Sequence, residues 1–177
     1  MALHNYESVN GHLPPAAVTD KYGKPLLSWR VAILPYIEQE RLYKEFHLDE
    51  PWDSPHNLTL LDRMPHTYAL RSRHVDPPPN TTYFQVFVGK GTPFEPERTV
   101  TFKDFRRGTS NVLLFVEGAE PVPWTKPEDI PFDPNGPLPR MGGVWPDLMR
   151  AAMADGHREM IQKPFNESEI RAMITLD

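Results

Sequence analysis

Apolar residues recur at helical spacing in one stretch more densely than anywhere else in the chain. Trp29, Ile33, Tyr36, Tyr43 and Phe46 follow one another at steps of 4, 3, 7 and 3, and Val31, Leu34 and Leu42 widen their stripe. Ser28 stands just before it, with a hydroxyl suited to accept from a free backbone N–H at a helix start. The pattern predicts helix over 28–46, largely buried on both sides. Pro35 interrupts it, because proline has no N–H for the carbonyl four residues back and drives Leu34 from helical angles. The expectation is a kink there, or a second helix with Pro35 in its first turn.

The other helical signals are short. Residues 2–9 read as the last turns of a helix ended by Asn10-Gly11. A domain rarely opens in mid-pattern without a cap, so this reads as a helix that has lost its start. Pro14, Pro15, Gly23 and Pro25 make a loop, Asp49–Pro55 a rigid turn around Trp52, and 57–62 a short helix. Near the end, Asn166 with Glu169 fits a capping box ahead of Ile170, Met173 and Ile174.

Between these helices the pattern turns to strands. Residues 83–88 are aromatic and β-branched, 99–102 alternate, and 112–116 are continuously apolar between Gly108 and Gly118. The last should be a central strand covered on both faces. Gly89–Glu97 reads as a turn-rich connection. Residues 118–147 carry 8 prolines, which cannot propagate a ladder, and predict a long loop. Leu148–Ala154 and His157–Ile161 flank Asp155-Gly156, the dipeptide of a type I′ hairpin. The helix-friendly run Met149-Arg150-Ala151-Ala152-Met153 conflicts with that turn signal, and the hairpin is the reading taken. No repeat is visible, and the sum is one α+β domain over 1–177 with long proline-rich loops.

Composition narrows the function classes. The 177 residues include 21 prolines, more than twice the usual share of about 5%. The 24 acidic and 19 basic residues are interspersed, which excludes the concentrated cation a nucleic acid would need. With no cysteine there is no disulfide, thiolate metal site or cysteine nucleophile. No run approaches the roughly 20 apolar residues of a membrane helix, and no signal sequence opens the chain.

Candidate chemistry is sparse. The 7 histidines (His4, His12, His47, His56, His66, His74 and His157) show no metal-ligand spacing. Gly108-Thr109-Ser110-Asn111 lacks the pattern of a nucleophile elbow and reads as a turn feeding a strand. Asp49, Glu50, Asp53 and Asp62, and separately Asp129 and Asp133, are loop carboxylates able to hold calcium, yet without EF-hand spacing they read as solvated charge. No metal, cofactor or catalytic residue is nominated. Trp52, Trp124 and Trp145 are the candidates for a ligand-stacking surface, weighed against plugging the core or pinning the long loop.

Ala2-Leu3-His4-Asn5-Tyr6, Pro14-Pro15-Ala16, Ser28-Trp29-Arg30-Val31, Leu34-Pro35-Tyr36-Ile37-Glu38-Gln39 and Asp49-Glu50-Pro51-Trp52-Asp53-Ser54-Pro55 together resemble the DUF1559 family. This is the planctomycete-type group of pilin-like proteins with an H-x9-DG motif. Gly108-Thr109-Ser110-Asn111 and Ala154-Asp155-Gly156 add to the likeness, while the motif's histidine falls at Trp145. The resemblance implies structural roles for Ser28, Trp29, Pro35, Glu38, Gln39, Pro51, Trp52, Asp53, Asp155 and Gly156. It also implies a pilin-like fold, an antiparallel sheet packed against the N-terminal helix or helices, in an exported, non-enzymatic pilin- or pseudopilin-like domain at the periplasm or cell surface, anchored by an N-terminal apolar helix absent here. Its partners would be other pilin-like subunits or envelope proteins. The alternative is an extracellular solute- or glycan-binding module.

Overall fold

The computed structural model describes residues 1–70, 72–96 and 98–177. Helix α1 (Ala2–Asn10) ends at Gly11, whose left-handed backbone (φ 78°) lets its N–H donate to the Glu7 carbonyl. Strands β1 (Ala17–Thr19) and β2 (Pro25–Ser28) form an antiparallel pair, and Ser28 then caps α2 (Trp29–Ala32) by accepting from the Arg30 N–H.

The helix expected over 28–46 is broken into three pieces. A 3-10 turn over Leu34–Ile37 carries Pro35 in its first turn, Glu38 reverses the chain at φ 63°, and α3 (Glu40–Glu45) follows. The apolar stripe nevertheless holds: Trp29, Ile33, Leu34, Leu42 and Phe46 are all buried. Side-chain burial thus outlasts helical continuity, because Pro35 breaks the backbone ladder without turning the stripe outward. Helix α4 (Pro55–Leu58) begins earlier than expected, with Ser54 accepting from the Asn57 N–H, and a 3-10 turn over Leu61–Arg63 completes that segment.

Strands β3 (Thr81–Gln85), β4 (Phe87–Val88), β5 (Leu113–Pro123), β6 (Ile130–Pro131), β7 (Leu148–Met153) and β8 (Arg158–Gln162) follow, then α5 (Glu167–Ile174). The main sheet is antiparallel in the order β3-β5-β7-β8, while β4 and β6 make a small parallel pair. Central β5 explains its apolar run. Val112 and Leu114 enter the cluster built by Leu3, Trp29, Leu34 and Trp124, whereas Leu113 and Val116 face Met149, Met153, Ile170 and Ile174. The sheet is therefore sandwiched between the N-terminal segments and α5, in an α+β arrangement. No helix among the described residues is long and apolar enough to cross a membrane.

Three strand expectations need correction. Residues 99–102 are not a strand: Thr101 caps a 3-10 turn, donating its N–H to Asp104 Oδ2 at 2.7 Å. A local side-chain bond of this kind competes directly with a ladder. Next, β5 runs on into the stretch expected to be loop from residue 118. Trp124 N–H donates to the Asn80 carbonyl, so the neighbouring Pro123 nitrogen points away from β3, and β7 pairs only with the 113–116 end. Pro121 lies where β5 bulges, between Val122 opposite Thr82 and Glu117 opposite Phe84. Finally, the β7–β8 hairpin forms at Asp155-Gly156, but only Gly156 has positive φ (94°). Gly156 N–H closes on Met153 and Met153 N–H on His157, a three-residue loop with a left-handed glycine in place of a type I′ turn. Asn166 caps α5 as expected, accepting from Ser168 and Glu169 N–H. Of the connection expected over 89–97, Glu97 lies outside the described residues.

Candidate functional site

The polar centre of the molecule is an ion pair between Arg30 and Asp129. Ser28 and Trp29 start α2, so Arg30 leaves its first turn toward the sheet, and its side chain has no exposed surface. Its Nη2 donates to Asp129 Oδ1 at 2.8 Å and to the Phe84 carbonyl at 2.6 Å. Nε also reaches the Phe84 carbonyl at 2.9 Å, and Nη1 donates to Ser28 Oγ at 2.6 Å. Asp129 arrives from the loop before β6, and its Oδ1 additionally accepts from Val86 N–H at 2.9 Å and Trp29 Nε1 at 3.2 Å. Burial raises the Asp129 pKa above the ordinary carboxylate value, while the Arg30 charge and the N–H groups of Val86 and Trp29 pull the other way. Tyr68 completes the knot by donating its hydroxyl to the Arg30 carbonyl at 2.7 Å.

Asp129 also lines a cleft of about 1210 Å³. Tyr6 from α1, Pro35 and Tyr36 from the 3-10 turn, Tyr43 from α3 and Val18 from β1 contribute to its walls. Tyr6 and Tyr36 meet edge to face at 5.4 Å between ring centres, and Tyr36 Oη accepts from Asn10 Nδ2 at 2.9 Å. Burial raises the Tyr6 and Tyr43 pKa values, and the nearby phenol of Tyr36 adds to both. Phenol rings and hydroxyls therefore share one site with a nearly buried carboxylate.

The tryptophans are dispersed. Trp124 has no exposed surface and donates Nε1 to the Leu61 carbonyl at 2.8 Å, so it has no face to offer a ligand. Trp52 is half-buried, with its N–H on the Leu26 carbonyl and Lys126 Nζ 5.7 Å from its ring centre. Trp145 is also half-buried, between His74 and Arg150, and lines a separate pocket of about 620 Å³ with Ser72 and Asp76. None of the three lines the large cleft.

The other positions fall into turns and caps. Ser28 caps α2, Trp29 is buried, Pro35 opens the 3-10 turn, and Glu38 turns the chain so that Gln39 can precede α3. The Pro51 carbonyl accepts from Ser54 N–H and from Asn57 Nδ2, Asp53 is exposed, Asp155 Oδ1 accepts from His157 N–H, and Gly156 closes the hairpin. His47 and His56 stack with ring centres 3.5 Å apart. Among the described residues no three His, Asp or Glu side chains converge on a metal-sized site.

Residues 1–86, just under half the chain, match the model of a family described as a protein of unknown function (DUF1559). That match supports the DUF1559 family for this chain. The matched segment supplies Arg30, Ser28, Trp29 and the three cleft tyrosines, whereas Asp129 comes from the remainder. Neither the curated proteins nor the solved structures give a match.

Arg30 and Asp129 escaped the sequence reading. Arg30 belongs to the DUF1559-like stretch but sits inside an apolar stripe, and Asp129 reads from the sequence as a solvated loop carboxylate or a calcium ligand, whereas its side chain is buried on Arg30. Their pairing spans 99 positions. The one available signal was a lone arginine in a helix face otherwise apolar, since a buried guanidinium requires a carboxylate or carbonyl partner.

Proposed function

We propose that this chain is a non-enzymatic, pilin- or pseudopilin-like domain that acts outside the cytoplasm in a structural or secretion-associated role. The observation that carries this reading is the DUF1559 match over residues 1–86. Leu3 of α1 lies in the same apolar cluster as Val112 and Leu114 at the central strand, which suits a domain whose N-terminal helix is braced by an antiparallel sheet. The interior polar groups serve assembly: Arg30 and Asp129 join α2 to β3 and to the loop before β6. Other pilin-like subunits or envelope proteins are the partners this role calls for.

The test is fractionation of the source cells, with the natural gene carrying an epitope tag at its 3′ end. Recovery with the envelope or outside the cell, digestion by protease added to intact cells, and surface cross-links to itself or to envelope proteins are expected. Recovery in the cytosol alone overturns the proposal.

A second reading, an extracellular solute-binding module, is supported by the 1210 Å³ cleft with its tyrosines and Asp129.

A further inference from the structure

The two edges of the main sheet differ in how their backbone groups are satisfied. At β3 the outer groups are taken: Arg30 donates to the Phe84 carbonyl, Asp129 accepts from Val86 N–H, and Ile130 N–H donates to the Val86 carbonyl. At β8 they are open. The β7–β8 register runs without a shift from Leu148 opposite Gln162 to Ala152 opposite Arg158, unlike β3–β5 and β5–β7. Beyond its two ends Met153 N–H donates to the His157 carbonyl and Lys163 N–H to the Asp147 carbonyl, so the odd-numbered residues of 157–163 are the ones that bond to β7. The N–H and C=O groups of Arg158, Met160 and Gln162 therefore point away from the sheet, and none has a backbone partner among the described residues. Neither a proline nor a bulge protects this edge over 158–162, and Met160 on it is 63% exposed.

We propose that β8 pairs antiparallel with β8 of a second copy of this chain, about a two-fold axis that passes through Met160 normal to the sheet and joins two four-stranded sheets into one. An axis in that direction keeps each side chain on its own face, so even-numbered residues stand opposite even-numbered ones, as their outward groups require. Centred on Met160, it sets Met160 against its copy and Arg158 against Gln162 of the second copy, each pair exchanging two N–H···O bonds, with Glu159 opposite Ile161 between them. Neighbouring registers fit worse. An axis at Arg158 or Glu159 puts like charges face to face, and one at Ile161 or Gln162 brings Pro164, which has no N–H, against an outward residue. The strand thus has the length, parity and charge pattern of its own partner. The surface goes beyond the pilin-like reading, which names none.

In sedimentation equilibrium the intact chain should pass from monomer to dimer between about 10 µM and 1 mM, the weak range that suits a strand-edge interface. Over the same range amide exchange should slow at Arg158, Met160 and Gln162, while Glu159 and Ile161, already bonded to β7, change little. Met160→Pro removes an outward donor and leaves the bonds to β7 in place. It and Met160→Lys, each confirmed folded by circular dichroism and thermal melting, should weaken the dimer at least about tenfold. Because the chain has no cysteine, Met160→Cys reads the register: it should oxidise to a disulfide-linked dimer about tenfold faster than Ile161→Cys or the distant, exposed Tyr22→Cys. A chain still monomeric at about 1 mM overturns the proposal and leaves the edge to a strand of another protein, without touching the pilin-like reading, which cell fractionation tests. A dimer indifferent to both Met160 variants overturns its location, and faster cross-linking of Ile161→Cys overturns the register.

Discussion

Asn57 has no exposed surface, and its amide ties a turn together from the inside. Nδ2 faces the carbonyls of His47, Glu50 and Pro51 at 3.0, 3.2 and 3.1 Å, and Oδ1 accepts from His47 N–H at 3.1 Å. Asn57→Ala leaves those groups without a partner in a dry place and should cost about 2–3 kcal/mol by denaturant unfolding. Asn57→Asp should cost more than alanine, because a carboxylate would oppose three carbonyl oxygens; a milder effect would refute this account of the turn. Glu38 presents the reverse case. Its left-handed backbone is unfavourable for a residue with a Cβ, so Glu38→Gly should stabilise by about 0.5–1 kcal/mol, measured as a higher midpoint in urea. The sequence displayed Ser28 as a cap because capping is a contact between near neighbours. It did not display the work of Asn57, whose partners become partners only once the turn has closed.

At the scale of elements, the same distinction decides which strands could be read. The run Val112–Val116 announced a buried strand because both of its faces are filled, and the hairpin around Asp155-Gly156 announced itself through turn chemistry. The far half of β5 was hidden by its prolines. Whether a proline breaks a ladder depends on which side of the strand its nitrogen faces and whether a neighbour waits there. Val100 and Phe102 alternate as a strand would, yet Thr101 and Asp104 bond each other first. Gly143 marks another contact between distant segments: its N–H donates to the Gly118 carbonyl at 2.9 Å, and a Cβ there would run into the Ala119 carbonyl. Gly143→Ala should therefore lower stability by about 1–3 kcal/mol, with slow-exchanging amides lost first around residues 118–122. Hydrogen exchange unchanged in that stretch would place the strain elsewhere.

For the whole molecule, acid should act through groups of opposite sense. Asp104 has its pKa held below the ordinary 3.8, first by the Thr101 N–H, then by the Thr101 hydroxyl and Arg98. A lowered folded pKa means stability that is present above 3.8 and is lost as the pH falls through the folded value. The gap in melting temperature between the natural chain and Asp104→Asn should be flat from about pH 7 to 5 and close below that. A gap unchanged at about pH 2 would contradict the assignment. Asp129 works the other way, since its raised pKa makes its burial least costly in acid. The pairing of Arg30 with Asp129 bears on how the molecule can be divided. The DUF1559 match ends at residue 86, beside the edge of β3 that β5 covers, and holds Arg30 without Asp129. Severed at that boundary, the first piece would bare a strand edge and strand a guanidinium in its interior; the second would lack the strand that lines β5. The two pieces, made separately, should each be unfolded, and mixing them should restore the circular dichroism of the intact chain. A freestanding, cooperatively melting 1–86 would instead make the seam a true domain boundary.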